Sequence, residues 1–515
     1  MRCENFSRSP KIGAARSRRS STMRRRRPRT PTAGAAKRIA RDLQSFLTRD
    51  AAAGKRHSRR RLKSIDQIFT PVCRFAVERL RERGRRAQTV VAKTVWRDLE
   101  QNLSERLTFA IGPTSVVYQR AMQALAGDSP RRSWIDINPL DIFAAFPGSL
   151  ETTARLISVW TEAQAELLAR LVRDRDKISS TFFGKRRASR ATYVRAGLSD
   201  PHDGGRTVTL LQFADRNRII YKPRTCDGEL LWFEALRWLN RNRLRLSFQL
   251  PKILQRENYG WMEFLPRSAC KDLREVRLFY FRWGAQAALA QVLGASDLHR
   301  ENWIATGPQP ILIDAELVTG SDKDRQSMPA LLETGLVPLT RRDRAGCYEG
   351  IAPLDAMLSE AEAARCWPRY KGTVRAPRKH VNELVRGFEA TIEIFSNREL
   401  ARQFFDEIIL AKAPFERRVL LRASAEYGRL LRESLEPPRM VAQCQRLRWL
   451  TRECCASAST RSIGLAEARS LSRCDIPKFT ARGRTIPVAR KRFPRTIEDL
   501  KRSSKILRQR VILRT

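Results

Sequence analysis

From Thr207 to Asp314 the hydrophobic pattern switches repeatedly between strand and helix periods, and this order constrains the fold more than any other feature. Thr207 to Phe213 is β-branched and apolar, Ala214-Asp215-Arg216-Asn217 has turn character, and Arg218 to Tyr221 is apolar again. Two such runs around a short polar stretch predict a hairpin with Lys222 at its end. Glu229 to Asn240 then carries Leu230, Phe233, Leu236 and Leu239 at helical spacing. Tyr259 to Phe264 predicts another strand, and Arg274 to Leu293 another helix. A short apolar strand, Ile311-Leu312-Ile313, ends in Asp314. The alternation predicts an α+β core.

The flanks read differently. Ile68, Val72, Phe75 and Leu80 open an amphipathic segment, and Leu156, Val159, Trp160, Ala163, Leu167, Leu168 and Leu171 form a longer stripe between Leu150 and Val172. After about residue 330 the pattern is again mainly helical. A chain of 515 residues has room for about three packed units. The expected divisions are a basic, disordered arm over 1–62, a helical region over 63–185, the α+β core over 186–320 and a mainly helical region over 321–515. The arm rests on the runs Arg24 to Arg27 and Arg59 to Arg61, where like charges repel and little apolar surface is available for burial.

Basic residues number 100 against 54 acidic ones, a net charge of +46. Such a surface suits an acidic partner: nucleic acid, membrane headgroups, phosphorylated groups or an acidic peptide. Charge alone does not choose among these, and nucleic acid is not the favoured partner. No run of 18 apolar residues exists, so no membrane span is expected. The N-terminus lacks the apolar core of a secretory signal. The ten cysteines contain no C-x-x-C, and His57, His202, His299 and His380 stand apart from them, which argues against zinc. Free thiols in a reducing cytoplasm are the expectation.

The chemistry concentrates after the hairpin. Lys222 is followed by Asp297-Leu298-His299-Arg300-Glu301-Asn302 and then by Asp314. Phosphoryl transfer needs such parts: a lysine for ATP phosphates, an aspartate for the attacking hydroxyl, and an asparagine and a second aspartate for magnesium. The interval from Asp297 to Asn302 is that of a kinase catalytic loop, and an aspartate at a strand end follows it as in kinases. The order D-x-H-x-x-N, in place of the H-R-D order of protein kinases, points to the atypical, lipid-kinase-like branch. Each part alone has an ordinary reading, as a surface lysine, a cap or a structural histidine. Upstream, Ser199-Asp200-Pro201-His202-Asp203-Gly204-Gly205-Arg206 offers two glycines whose N–H groups could approach an anion, with His202 and Arg206 beside them.

Taken together, SDPHDGGR, IIYKPR, YGWMEF, DLHRENWIATGPQPILIDAE and RVLLRASAEYGRLL resemble the dehydratase domain of LanM-type (class II) lanthipeptide synthetases. Cys474-Asp475-Ile476-Pro477-Lys478-Phe479 resembles the family's G-D-I-P-x-F segment. The resemblance covers roughly residues 65–515 and implies an α+β fold with an atypical, lipid-kinase-like, bilobal core and extensive additional helical subdomains. It implies phosphorylation of Ser or Thr in a ribosomal precursor peptide by ATP, with Mg2+, then phosphate elimination to dehydroalanine or dehydrobutyrine. It implies that Lys222 binds ATP phosphate, with Arg206, Gly204 and Gly205 as further nucleotide contacts. Asp297 serves phosphorylation, Asn302, Asp314 and Glu316 serve the metal, and Asp200, His202 and His299 fall on functional positions. The family's R-x-x-x-R-P-T-x-x-Y reads here Arg418-Val-Leu-Leu-Arg422-Ala-Ser424-Ala-Glu-Tyr427. Arg418 and Ser424 would serve elimination; the family's Pro and Thr are replaced by Ala423 and Ser424.

The family's C-terminal cyclase has no counterpart before Thr515, so three expectations stand: a separate cyclase forms the rings, dehydration is the endpoint, or the chain is a truncated gene product. An acidic leader on the precursor suits the basic body. Two other readings compete: a kinase that stops at phosphorylation, and a decayed, basic nucleic-acid-binding protein that turns over no ATP.

Overall fold

The computed structural model describes residues 33–54, 64–125, 137–184, 188–244, 246–318, 330–339, 351–355, 357–411, 415–483 and 501–512. The N-terminal part is a layer of helices: α1 (Ala33–Gly54), α2 (Thr70–Arg83), α3 (Lys93–Leu125), α4 (Pro139–Ala145) and α5 (Pro147–Phe182). The long α5 buries the stripe read from sequence, with Trp160 fully enclosed and its Nε1 donating to Asn102 Oδ1 at 3.1 Å. The arm expected to be disordered through residue 62 is corrected over Ala33–Gly54. There Ile39, Leu43 and Leu47, spaced one turn apart, are buried in the same core. Residues 1–32 and 55–62 of that arm lie outside the described residues.

Five antiparallel strands follow: β1 (Ala191–Arg195), β2 (Thr209–Phe213), β3 (Arg218–Lys222), β4 (Ile253–Gln255) and β5 (Gly260–Glu263), in the spatial order β1-β2-β3-β5-β4. The expected hairpin is β2–β3, with Leu211 opposite Ile219 and Leu210 opposite Ile220. Arg216 takes a left-handed conformation to close its turn. Alternation sends Leu211, Phe213, Ile219, Tyr221 and Trp261 into the helical layer. Met262 and Ile220, opposite one another, face a second core on the other side.

That second core is built by α6 (Asp227–Leu239) and α7 (Leu273–Leu293), by the hairpin β6 (Trp303–Thr306) and β7 (Gln309–Leu312), and by the helices Val381–Ser396 and Arg398–Phe404. Asp272 caps α7 by accepting from Glu275 N at 2.7 Å, and Gly294 ends it in a left-handed turn. α7 and Val381–Ser396 approach closely because each presents a glycine to the other. A Cβ on Gly284 would lie 1.8 Å from Leu384 O, and one on Gly387 1.9 Å from Phe281 O.

The segment expected as one region over 321–515 divides between the cores. Leu430, Leu431, Leu450 and Leu471 return to the N-terminal helical core, while Phe388, Phe395, Leu507 and Val511 join the second. Arg446, fully buried, ties the return by donating to Leu471 O, Ser472 O and Thr152 Oγ1 at 3.0, 3.1 and 3.4 Å. Two distant strands, Phe415–Val419 and Phe479–Gly483, pair as an antiparallel ribbon whose Glu416 N donates to Asp227 Oδ2 on α6 at 3.3 Å. No helix among the described residues is long and apolar enough to cross a membrane, and the eight described cysteines are free.

Candidate functional site

Lys222, at the end of β3, is buried, and its ammonium donates to Glu229 Oε1 at 2.6 Å and to Ile313 O at 2.5 Å. Glu229 sits in the first turn of α6. Burial opposes its charge, but Arg224 and Lys222 outweigh burial and hold it down to about 2. Arg224 bridges onward from Glu229 (2.5 Å) to Asp314 Oδ1 (2.7 Å) and to Glu316. The close fit of α6 on the Asp314–Glu316 segment depends on Gly228, whose added Cβ would stand 2.0 Å from Ala315 O.

The loop from Asp297 to Asn302 runs beside this segment. Asn302 Nδ2 donates to Asp297 O at 2.8 Å, and Asn302 O accepts from Ile313 N at 2.8 Å, so one residue ties the loop to the approach of Asp314. Asp297 has φ of 60°, a costly conformation for a non-glycine residue. Its carboxylate lies 3.9 Å from His299 Nε2. Burial raises the Asp297 carboxyl to about 6; His299 and Arg418 oppose the rise, and Asp314 and Glu316 add to it.

Glu316 is the meeting point. Arg224, Arg418 (3.6 Å) and Lys478 (3.2 Å) all reach its carboxylate. Burial alone would raise Glu316, but these cations hold it well below the usual carboxylate range. Arg418 comes from the ribbon strand Phe415–Val419, whose Arg418 N also donates to Glu316 O at 3.3 Å. Lys478 immediately precedes the partner strand.

His202 and Asp200 enter from the loop before β2. His202 Nδ1 is 2.7 Å from Ile476 O, which can only accept, so Nδ1 carries the proton and Nε2 the lone pair. Burial, then Arg418 and Lys478, lower His202 to about 4, so it is neutral at pH 7. Burial also raises Asp200, against Arg418. Asp475 fixes this loop: its carboxylate accepts from Gly204 N at 2.7 Å and Gly205 N at 2.8 Å, while Ile476 N donates to Pro201 O at 2.8 Å.

These contacts depart from three expectations. The anion held by Gly204 and Gly205 is Asp475 of the chain itself, so their N–H groups are not a free phosphate cradle. Arg206 pairs with Glu166 on α5, Nε to Oε2 at 2.8 Å, and its backbone N donates to His202 O. Glu316, already surrounded by three cations, does not fit a metal ligand. Among the described residues no group of three His, Cys, Asp or Glu side chains is placed to hold a metal. Asn302 and Asp314 retain hard oxygen donors of the type magnesium takes. Ser424 opens the helix Ser424–Ser434. Its neighbours Arg422 and Tyr427 both bond to buried Glu467, at 2.7 Å each, and so anchor the motif, while Arg418 reaches Glu316. Arg224, Glu229, Asp475 and Lys478 were missed in sequence. Arg224, Asp475 and Lys478 stand inside recognised stretches, and Glu229 lies one turn into the helix that follows Lys222.

Residues 146–349 and 353–482 match a family model described as "Domain of unknown function (DUF4135)". The match covers more than half of the chain. The chain belongs to this DUF4135 family. It is also 23% identical over 247 residues to "Lacticin 481/lactococcin biosynthesis protein LcnDR2" of Lactococcus lactis subsp. lactis. That alignment takes in 39% of this chain and 27% of the relative, well under two thirds of the relative's length. Together the two matches mark a LanM-type synthetase region, in keeping with the motif resemblance. Every residue of the cluster just described from Asp200 to Asp314, and Glu316, Arg418 and Lys478 after it, falls inside the DUF4135 stretches.

Proposed function

We propose that this chain is a lanthipeptide-type dehydratase that phosphorylates Ser or Thr of a precursor peptide with ATP and then eliminates the phosphate. The observation that carries the reading is the convergence of two sets on one segment, Asp314–Glu316. Lys222 donates to Ile313 O and Asn302 accepts from Ile313 N, immediately before that segment, and Asp297 lies in the adjoining loop; Arg418 reaches Glu316 within it, and His202 stands near Arg418.

The first set suits phosphoryl transfer. Lys222 at the end of the third strand, paired with Glu229 on the next helix, repeats the lysine–glutamate pair on which kinase phosphate binding depends. Asp297, raised toward 6 yet ionised at pH 7, accepts the proton of the attacking hydroxyl as oxygen bonds to the γ-phosphorus and ADP departs. Asn302 and Asp314 would hold magnesium, which when bound neutralises charge on the phosphates. A bilobal, lipid-kinase-like arrangement fits the sheet and the α6–α7 core on its far side.

The second set suits elimination. His202, neutral and with Nε2 unprotonated, can take the α-proton. The C–H electron pair then forms the double bond, the Cβ–O pair leaves with phosphate, and Arg418 pairs with the departing anion. A basic body favours a peptide with an acidic leader, and a separate cyclase would use the product. Incubating a candidate precursor with ATP and magnesium, then weighing it, tests the reading. Loss of water supports it. A stable gain of phosphate favours a kinase alone, and an unchanged mass contradicts both.

A further inference from the structure

We propose that Lys478 is a second ligand, beside Arg418, for the phosphate of a phosphorylated serine or threonine in the substrate peptide. The proposal rests on the two-step reading above and adds a residue to it.

The ribbon is the reason the two cations meet. Val419 pairs with Phe479 and Arg418 with Thr480, so Lys478 lies at the end of the same ribbon that carries Arg418. Both side chains turn onto one carboxylate, Glu316, at 3.2 and 3.6 Å. Neither contact is the tight, bidentate geometry of a finished ion pair. Arg418 Nε is buried without a hydrogen-bond partner, and so is the Glu316 Oε2 that both cations face, so neither cation is fully engaged by that carboxylate. The Lys478 and Arg418 side chains are 8% and 14% exposed, whereas those of Asp314, Asp297 and His299 are 32%, 22% and 24% exposed. A phosphate brought beside Glu316 meets both cations. Its tetrahedral oxygens can bond Lys478 and Arg418 at once, which a single planar carboxylate held by three cations does less well.

The arrangement also explains how one histidine serves elimination. Arg418 and Lys478 both depress His202. A phosphate dianion between them offsets that depression, so the base gains strength when the phosphorylated substrate is present. During the step, the Cα–H pair becomes the Cα=Cβ bond, the proton goes to His202 Nε2 and the Cβ–O pair leaves as inorganic phosphate. Lys478 and Arg418 receive the charge that grows on the departing oxygen.

Isothermal titration of the full chain with a short phosphoserine peptide, beside its unphosphorylated twin, tests this. Wild type should prefer the phosphopeptide. Lys478→Met should weaken phosphopeptide binding about tenfold or more, the scale of one charge-assisted contact. Lys478→Arg should stay within about threefold of wild type, because the charge is kept. Should Lys478→Met fail to fold, Lys478→Gln replaces it, since a donor toward Glu316 remains. Equal phosphopeptide affinity in wild type and the folded neutral variant overturns the assignment of Lys478 and leaves the two-step reading standing. A wild type indifferent to the phosphate overturns that reading, and this proposal with it.

Discussion

At the residue scale the two proposed half-reactions rest on different side chains. Arg418 touches Glu316 and neighbours His202, whereas Lys222 is bound to Glu229 and Ile313. Arg418→Ala should therefore slow elimination about a hundredfold or more, the usual cost of losing a donor to a developing anion. Phosphopeptide should accumulate in a mass-resolved time course; dehydration at the wild-type rate would remove Arg418 from the mechanism. His202 gives a second test through pH. Its folded value near 4 lies below the ordinary 6.5. Between these limits the unfolded chain binds the proton more readily, so stability is full above 6.5 and falls as pH drops toward 4. Each pH unit in that window costs up to about 1.4 kcal/mol. His202→Gln should flatten this part of the stability curve in urea titrations at several pH values, and an unaltered slope would show that the histidine is not held neutral by the fold.

At the element scale, glycine contacts hold the site's scaffold. Gly284→Ala would drive a methyl into Leu384 O and separate α7 from Val381–Ser396. A loss of about 1–3 kcal/mol is expected from such overpacking, read as a lower urea midpoint; an unchanged midpoint would mean that the helices are not so closely set. These elements were also the most legible part of the sequence. The β2–β3 turn, Lys222 at a strand end, α6 and α7 follow from local alternation and helical spacing. The hairpin β6–β7 was seen only as its second strand, because Trp303 to Thr306 is short and adjoins a motif read for its chemistry. What period and spacing do not encode is contact across hundreds of residues. Asp475 filling the Gly204–Gly205 turn, and Glu316 drawing Arg418 and Lys478 together, depend on a ribbon whose strands are far apart in sequence. The glycine pair signalled an anion correctly; that the anion is an internal aspartate is tertiary information. The helix Ala33–Gly54 was obscured because its basic face dominates the composition, although Ile39, Leu43 and Leu47 keep a regular four-residue spacing.

For the whole molecule, two cores flank one sheet, and the site lies where the chain's late segments return to the β3–α6 region. The chain as a whole carries a net charge of +46. Binding of an acidic precursor peptide should weaken several-fold from low to high salt, since screening shortens the reach of the field; affinity indifferent to salt would assign the charge another purpose. The central claim is a single site that first adds and then removes phosphate. Its most direct measurement is the mass of a precursor peptide after incubation with ATP and magnesium, using wild type and Lys222→Met side by side. The account predicts loss of water with wild type, and neither phosphate gain nor water loss with Lys222→Met. Dehydration that persists undiminished in Lys222→Met, or a wild type that leaves its genuine precursor unchanged, would contradict it.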